Sequence, residues 1–295
     1  MSWILTWAEL EPQPLQYNWA LVENCLDAAR ATGRQSILRV NAGEGSPTWY
    51  TDQYPSVTFR VIPGGPEAAH CITMPIPWST EFLSMWGRWI AAYGKQYDGD
   101  ARIFLVEESA CGRLGEMGLG AWNDGAGGSG WESGAPPPPP SSCPPGLGGG
   151  CGSAPLTPDR ITSAWNQMID AYRQAFPNTP TALNIGYPLL HNNAYEAVPG
   201  NVISYAQKYG PLEWFQQNGR VPTAPWATVL KNLSGTTTIG WQMGPFTGLK
   251  NPVAHQTSAV EAAFNSNARY IEAYQEDLLD PTFAPQFRRL AAGVS

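Results

Sequence analysis

Charge is what this sequence has least of. Only 14% of its 295 residues are Asp, Glu, Lys or Arg, against 43% hydrophobic, a balance that belongs to a packed chain rather than a disordered one. The basic side is the poorer: 17 Lys and Arg face 24 Asp and Glu, for a net charge of -7. No basic stripe offsets that total, which excludes nucleic acid as a partner. Histidine is almost absent. His70, His191 and His255 are scattered, and each is expected at the surface or hydrogen-bonded rather than as a ligand. The five cysteines show no zinc spacing. Cys143 and Cys151 flank PPGLGGG and are placed to pair in an oxidising compartment, while Cys25 lies on a helix-like segment, where a buried free thiol is expected. No apolar run reaches the roughly 18 residues a membrane span needs. The opening MSWILTWAELEP lacks a basic start and brings in carboxylates too early for a signal peptide. Three motifs are missing: a G-x-G-x-x-G after the first strand, a phosphate loop, and the G-x-S-x-G of a serine nucleophile.

Aromatics are plentiful. They make up 12% of the chain, with 13 Trp, a surplus that suggests a cleft lined with flat faces. Strand-like and helix-like segments alternate. WILTW, SILRV and RIFLVEE read as strands, VTFRVI as a possible short one. YNWALVENCLDAARATG places Trp19, Val22, Leu26 and Ala29 at helical spacing and stops at Gly33. Ser79 to Tyr97 reads as a Ser-capped helix, and Thr157 to Phe176 as a helix with Pro158 at its first position. Further on, TALNIG, NVISYAQ, TTTIGWQ and RYIEAYQ read as strands, and LEWFQQNG, TSAVEAAFNSN and FAPQFRRLAAG as helices. Near-continuous apolar strands repeating with helices mean parallel pairing. Seven or eight such units predict an α/β fold, a (β/α)8 TIM barrel, as one domain over residues 1–295. Residues 123–155 differ in kind: their Gly/Pro-rich composition cannot pack a core and predicts a loop insertion, a lid over the barrel mouth or a neutral insert.

In a barrel, chemistry sits on the loops after the strands. The tips here offer Trp7, Glu9 and Glu11, then Arg39 and Asn41, then Glu107, Glu108 and Glu116, then Asn184 and Tyr187, then Gln207 and Lys208, then Trp241 and Gln242, and finally Glu272 and Tyr274. Trp49 and Trp78 stand beside prolines in the loops. Carboxylates among amides and Trp suit glycosidic bond cleavage: one acid protonates the leaving oxygen, and the second carboxylate attacks the anomeric carbon or activates water. Aromatic faces stack on sugars, and amides and Arg bond hydroxyls. Glu107 and Glu108 are adjacent on a strand, so their side chains take opposite faces. Glu116 sits between glycines in GRLGEMGLG. Glu272 ends an apolar run, where a carboxylate is costly unless used or paired. Glu11, before Pro12, is expected to fix the first loop by accepting backbone hydrogen bonds, with direct substrate contact as the alternative. Arg39 predicts an inward ion pair.

The stretch WAELEPQPLQYNWALVENCLDAARATGRQSILRVNAGEGSPTWY resembles the W-x-x-L-E-P…Y-x-W…LRV…P-x-W opening of barrel glycoside hydrolases in the clan that holds β-galactosidases, cellulases and β-mannanases. MPIPWSTEFLSMWGRWIAAYGKQYDGDARIFLVEE is similar to the segment leading into their fourth strand, whose end bears the acid/base. RYIEAYQEDLLDP resembles a closing strand tipped by Glu. The resemblance implies a retaining glycosidase acting on a β-linked glycan or galactoside without a cofactor. It implies Glu116, Glu108 or Glu107 as acid and Glu272 as nucleophile or second carboxylate. Trp7, Glu11, Arg39, Asn41, Trp49, Trp78, Asn184, Trp241, Gln242 and Tyr274 would bind substrate. Two departures stand out. VEES replaces the Asn-Glu common at the fourth strand tip, leaving the three glutamates in competition. Counting W-x-x-L-E-P as strand two makes RYIEAY strand eight, whereas the clan nucleophile ends strand seven, here TTTIGWQ with Gln242 and no carboxylate. The same count expects a barrel lacking its first strand at the N-terminus, from a truncated start that would also have removed any secretion signal. The rival expectations are a barrel that binds carbohydrate without cleaving it and a protein-interaction scaffold.

Overall fold

The computed structural model describes residues 1–61, 70–110, 156–185, 197–218, 226–243 and 251–293. Glu116, Cys143, Cys151 and the expected insertion at 123–155 lie outside them. The chain divides into two compact units, Met1–Thr181 with Pro188–Lys208 and Ala182–Tyr187 with Tyr209–Ser295.

The first unit opens with β1 (Ser2–Thr6), a one-turn helix α1 (Trp7–Leu10), α2 (Ala20–Ala31) and β2 (Ser36–Asn41). β1 and β2 are parallel, with Thr6 level with Asn41. All six residues of β2 are buried, the pattern of a strand covered on both faces. After α3 (Thr48–Thr51), β3 (Ser56–Val61) and β4 (His70–Pro75) form a separate antiparallel hairpin. The sequence pointed to β3 alone, because HCITMP carries neither an alternating pattern nor an aromatic. α4 (Thr80–Tyr97) then leads into β5 (Ile103–Glu108), which pairs parallel with β2 and sets Glu107 level with Arg39. α5 (Pro158–Ala175) follows, capped by the Thr157 side chain on the Arg160 N–H.

α4 shows how the aromatic surplus is used. Ser79 caps it by accepting from the Phe82 N–H. Phe82, Trp86, Trp89, Tyr93 and Tyr97 then fall on one buried stripe at helical spacing. Trp86 and Trp89 stack with centroids 4.5 Å apart and planes within 2°. Trp7 reaches Trp86 at 5.3 Å and Trp19 reaches Trp89 at 6.2 Å. Among the described residues, several of the tryptophans read as a cleft lining go instead into the core: Trp7, Trp86, Trp89, Trp165 and Trp241 are all closed to solvent. Where α4 crosses the end of α5, Gly94 is needed for the close approach. A Cβ there would lie 2.6 Å from both the carbonyl carbon and the Cβ of Ala175.

β6 (Thr181–Ile185) begins as the first unit closes, and the Val106 N–H donates to the Pro180 carbonyl at 3.0 Å. The next two segments reverse the expectation from sequence. NVISYAQ is not a strand: it falls on the helix α6 (Ala197–Ala206), with Val198, Val202, Ile203 and Ala206 buried at helical intervals. LEWFQQNG is not a helix: Glu213–Asn218 forms β7. The β-branched residues of the first segment were outvoted by its period. In the second, Trp214 and Phe215 favour the pleated surface.

In the second unit, β7 runs parallel to β8 (Ile239–Gln242), and β8 to β9 (Tyr270–Glu272). α7 (Trp226–Leu233) and α8 (Pro252–Asn265) provide the intervening crossovers; α9 (Gln275–Leu279) and α10 (Ala284–Gly293) follow β9. β1, β2 and β5 are thus mutually parallel within the first unit and β7, β8 and β9 within the second, with helices between successive strands in chain order. No helix among the described residues is long and apolar enough to cross a membrane.

Candidate active site

At the C-terminal end of β1, the Thr6 side chain and Glu9 form a capping box, which ties up Glu9. Glu11, at 0% exposure, accepts from Trp7 Nε1 and from the Leu15 N–H, both at 2.7 Å, and from Arg88 Nη2 at 2.7 Å. Trp49 Nε1 donates to the Glu11 backbone carbonyl at 2.9 Å. Glu11 and Trp7 therefore hold the first loop. Trp78 is also closed, at 8% exposure. Trp49 is half-buried.

Arg39 on β2 and Glu107 on β5 form a buried ion pair, as their level register allows. Asn41, two residues further along the same face, accepts from the Gly43 N–H at 2.8 Å and shapes the β2 loop. Glu108 is 1% exposed and, by alternation, takes the face opposite Glu107. Beyond it, Ser109 is clamped from three sides. Its hydroxyl donates to the Val40 carbonyl, its own carbonyl accepts from Trp86 Nε1 at 2.7 Å, and its N–H donates to the Tyr172 hydroxyl at 3.3 Å. Burial pushes the Tyr172 phenol up, and the Glu108 and Glu107 carboxylates push it further, against the lowering effect of its bonds to Ser109.

The second unit carries the other carboxylate. Parallel register puts Gln216, Gly240 and Tyr270 in one row across β7, β8 and β9, and Asn218, Gln242 and Glu272 in the row two residues nearer the strand ends. Glu272 is 6% exposed. Its Oε2 accepts from Gln216 Nε2 at 2.7 Å, and Gln216 Oε1 accepts from the Tyr270 hydroxyl at 2.6 Å. Gln242 stands level with Glu272. Trp241 lies on the opposite face with Ile271 and is 0% exposed. Asn184 is buried on β6, and Tyr274 is exposed just past β9.

Gln216 and Tyr270 were missed from sequence. Gln216 fell in a segment read as a helix, and Tyr270 at the start of a strand whose end drew the attention. The signal available was Gln216 itself, an amide following Trp214 and Phe215.

The strand–helix order is that of a (β/α) barrel, with Glu107, Glu108 and Glu272 at strand ends. Residues 3–108 match the family model described as beta-galactosidase. Endo-glycoceramidase II from Rhodococcus sp. is similar in structure, with a TM-score of 0.51 at 11% identity over 92% of this chain and 64% of that one. Lower scores come from exo-beta-1,4-mannosidase of an Opitutaceae bacterium (0.48, 12% identity, 92% and 44% covered). Xylanase 10B from Thermotoga petrophila gives 0.47 (14% identity, 92% and 73% covered). The chain spans less than two thirds of the length of the glycoceramidase. No curated protein sequence matches it. The likeness shows the fold, a (β/α)8 TIM barrel.

Proposed function

We propose that the protein cleaves O-glycosidic bonds in a β-linked glycan or galactoside by a retaining, two-carboxylate mechanism. The observation that carries this reading is Glu272: a buried carboxylate at the end of a parallel strand, held by an amide donor, in a chain whose β1–β5 portion matches a glycosidase family. Glu272 attacks the anomeric carbon and forms the glycosyl ester. The acid protonates the leaving oxygen and then, as base, activates the water that breaks the ester. Glu107 is committed to Arg39, which leaves Glu108 and Glu116 as the acid candidates.

The test is hydrolysis of a panel of aryl β-galactosides, β-glucosides, β-mannosides and β-xylosides by the wild type and by Glu272→Gln, Glu108→Gln and Glu116→Gln. Glu272→Gln should lose at least about 1000-fold in kcat/KM, the scale of removing a group that acts as a unit with its partner. The acid is whichever of the other two loses heavily with phenyl leaving groups and little with dinitrophenyl ones. Full activity of Glu272→Gln would overturn the assignment. An inactive wild type would favour a carbohydrate-binding barrel instead. We also infer an oxidising compartment, supported by the disulfide-bonded Cys71; thiol counting before and after reduction checks it.

A further inference from the structure

The row beneath Glu272 is built around a missing side chain. On β8, Gly240 stands between Gln216 on β7 and Tyr270 on β9. A Cβ at Gly240 would lie 2.5 Å from Tyr270 Cε1 and closer still to Cζ and the hydroxyl oxygen. The Tyr270 ring therefore crosses the space above the glycine, and its hydroxyl reaches the neighbouring strand but one, where it meets Gln216. Any larger residue at 240 would close that path.

We propose that Gln216 is the positioning residue for Glu272, with its amide turned by Tyr270 through the gap at Gly240. This rests on the glycosidase reading above. A glutamine amide has two orientations of nearly equal shape, and its network decides between them. Here the Tyr270 O–H donates to Oε1, so the NH2 group faces Glu272 Oε2. The reverse orientation would set a carbonyl oxygen against a carboxylate. The relay thus fixes both the direction and the donor character of the contact that aims the attacking carboxylate. Gln216 is 0% exposed, so water does not compete for the amide. Tyr270 touches Glu272 through Gln216 in this scheme, which makes its role orientation rather than chemistry.

The experiment measures kcat/KM of the wild type, Tyr270→Phe, Gln216→Met and Gly240→Ala on phenyl and dinitrophenyl glycosides of the preferred sugar. Tyr270→Phe keeps the ring in its slot and removes the hydroxyl alone. We expect its kcat/KM to fall by about 10- to 100-fold, the scale of misplacing a reacting group by an ångström or less. The fall should be equal for both leaving groups, because nucleophilic attack rather than acid assistance is impaired. Gly240→Ala should reproduce that loss by displacing the ring, and the Gly240→Ala/Tyr270→Phe double variant should be no worse in kcat/KM than the more impaired single. A purely structural role would lower thermal stability without this leaving-group-independent loss. Wild-type kcat/KM in a folded Tyr270→Phe would overturn the positioning role while leaving the glycosidase reading intact. A wild type inactive on every glycoside would overturn that reading and this role with it.

Discussion

Two glycines in one helix should respond to alanine with opposite signs. Gly87 and Gly94 both lie in α4. At Gly87 an added Cβ meets nothing within 4 Å, so Gly87→Ala should gain the ordinary helix advantage of about 0.5–1 kcal/mol. At Gly94 the same methyl would stand 2.6 Å from two atoms of Ala175, where ordinary contact begins near 3.4 Å. The obstacle is chiefly backbone, which cannot rotate away. α4 and α5 would have to part by about 0.8 Å or more, loosening the aromatic contacts of Tyr93 and Phe176 at 5.2 Å that lie beside the crossing. Overpacking of that kind costs about 1–3 kcal/mol beyond the helix gain it cancels. The two variants should therefore differ by about 1.5–4 kcal/mol, with the wild type between them. Urea unfolding followed by tryptophan fluorescence measures this as a shift in midpoint at constant slope. Gly94→Ala at or above the stability of Gly87→Ala would refute the packing argument.

Glu107→Gln should destabilise the first unit by about 3–5 kcal/mol, because it leaves the Arg39 guanidinium buried opposite a neutral amide; the Arg39→Met/Glu107→Met pair should recover most of that in the same urea assay. Glu11→Ala should cost about 3 kcal/mol, since Trp7 Nε1 and the Leu15 N–H lose their acceptor while half-exposed Arg88 can rehydrate; retention of the wild-type midpoint would show that the loop is held otherwise. Hydrogen bonds from Arg102 hold the Asp100 carboxyl below its usual range. A depressed carboxylate contributes stability that is present above its unfolded pKa and lost as pH falls through the folded one. Asp100→Asn should therefore flatten the stability curve below about pH 4 and leave a small, salt-sensitive loss at neutral pH.

What the sequence revealed, it revealed through period and position. α2, α4 and α5 were readable from apolar spacing, caps and the proline at the start of α5. The buried runs SILRV and RIFLVEE gave two strands, and Arg39, a cation within one of them, implied the carboxylate that proved to be Glu107. Glu272 stood out because a carboxylate closing an apolar run needs a purpose or a partner. The failures share one cause. NVISYAQ and EWFQQN are each too short for period to outweigh propensity, and what decides them is tertiary: the first buries Val202 and Ile203 on one helix face, the second is paired by β8. Misreading that pair hid Gln216. The tryptophans misled differently, since composition counts rings and not where they point. Trp7 and Trp241 fill core that no count can distinguish from a cleft.

The indoles in that core lie close together. Trp49, Trp7, Trp86, Trp89 and Trp19 form an unbroken chain with successive centroids 5.5, 5.3, 4.5 and 6.2 Å apart. At these separations excitation should pass between neighbouring indoles, and the native emission of these rings should be depolarised by it. Trp214 and Trp241 stand in the second unit, outside that chain. Polarised fluorescence can therefore follow the melting of the first unit by the moment at which its tryptophans cease to share light.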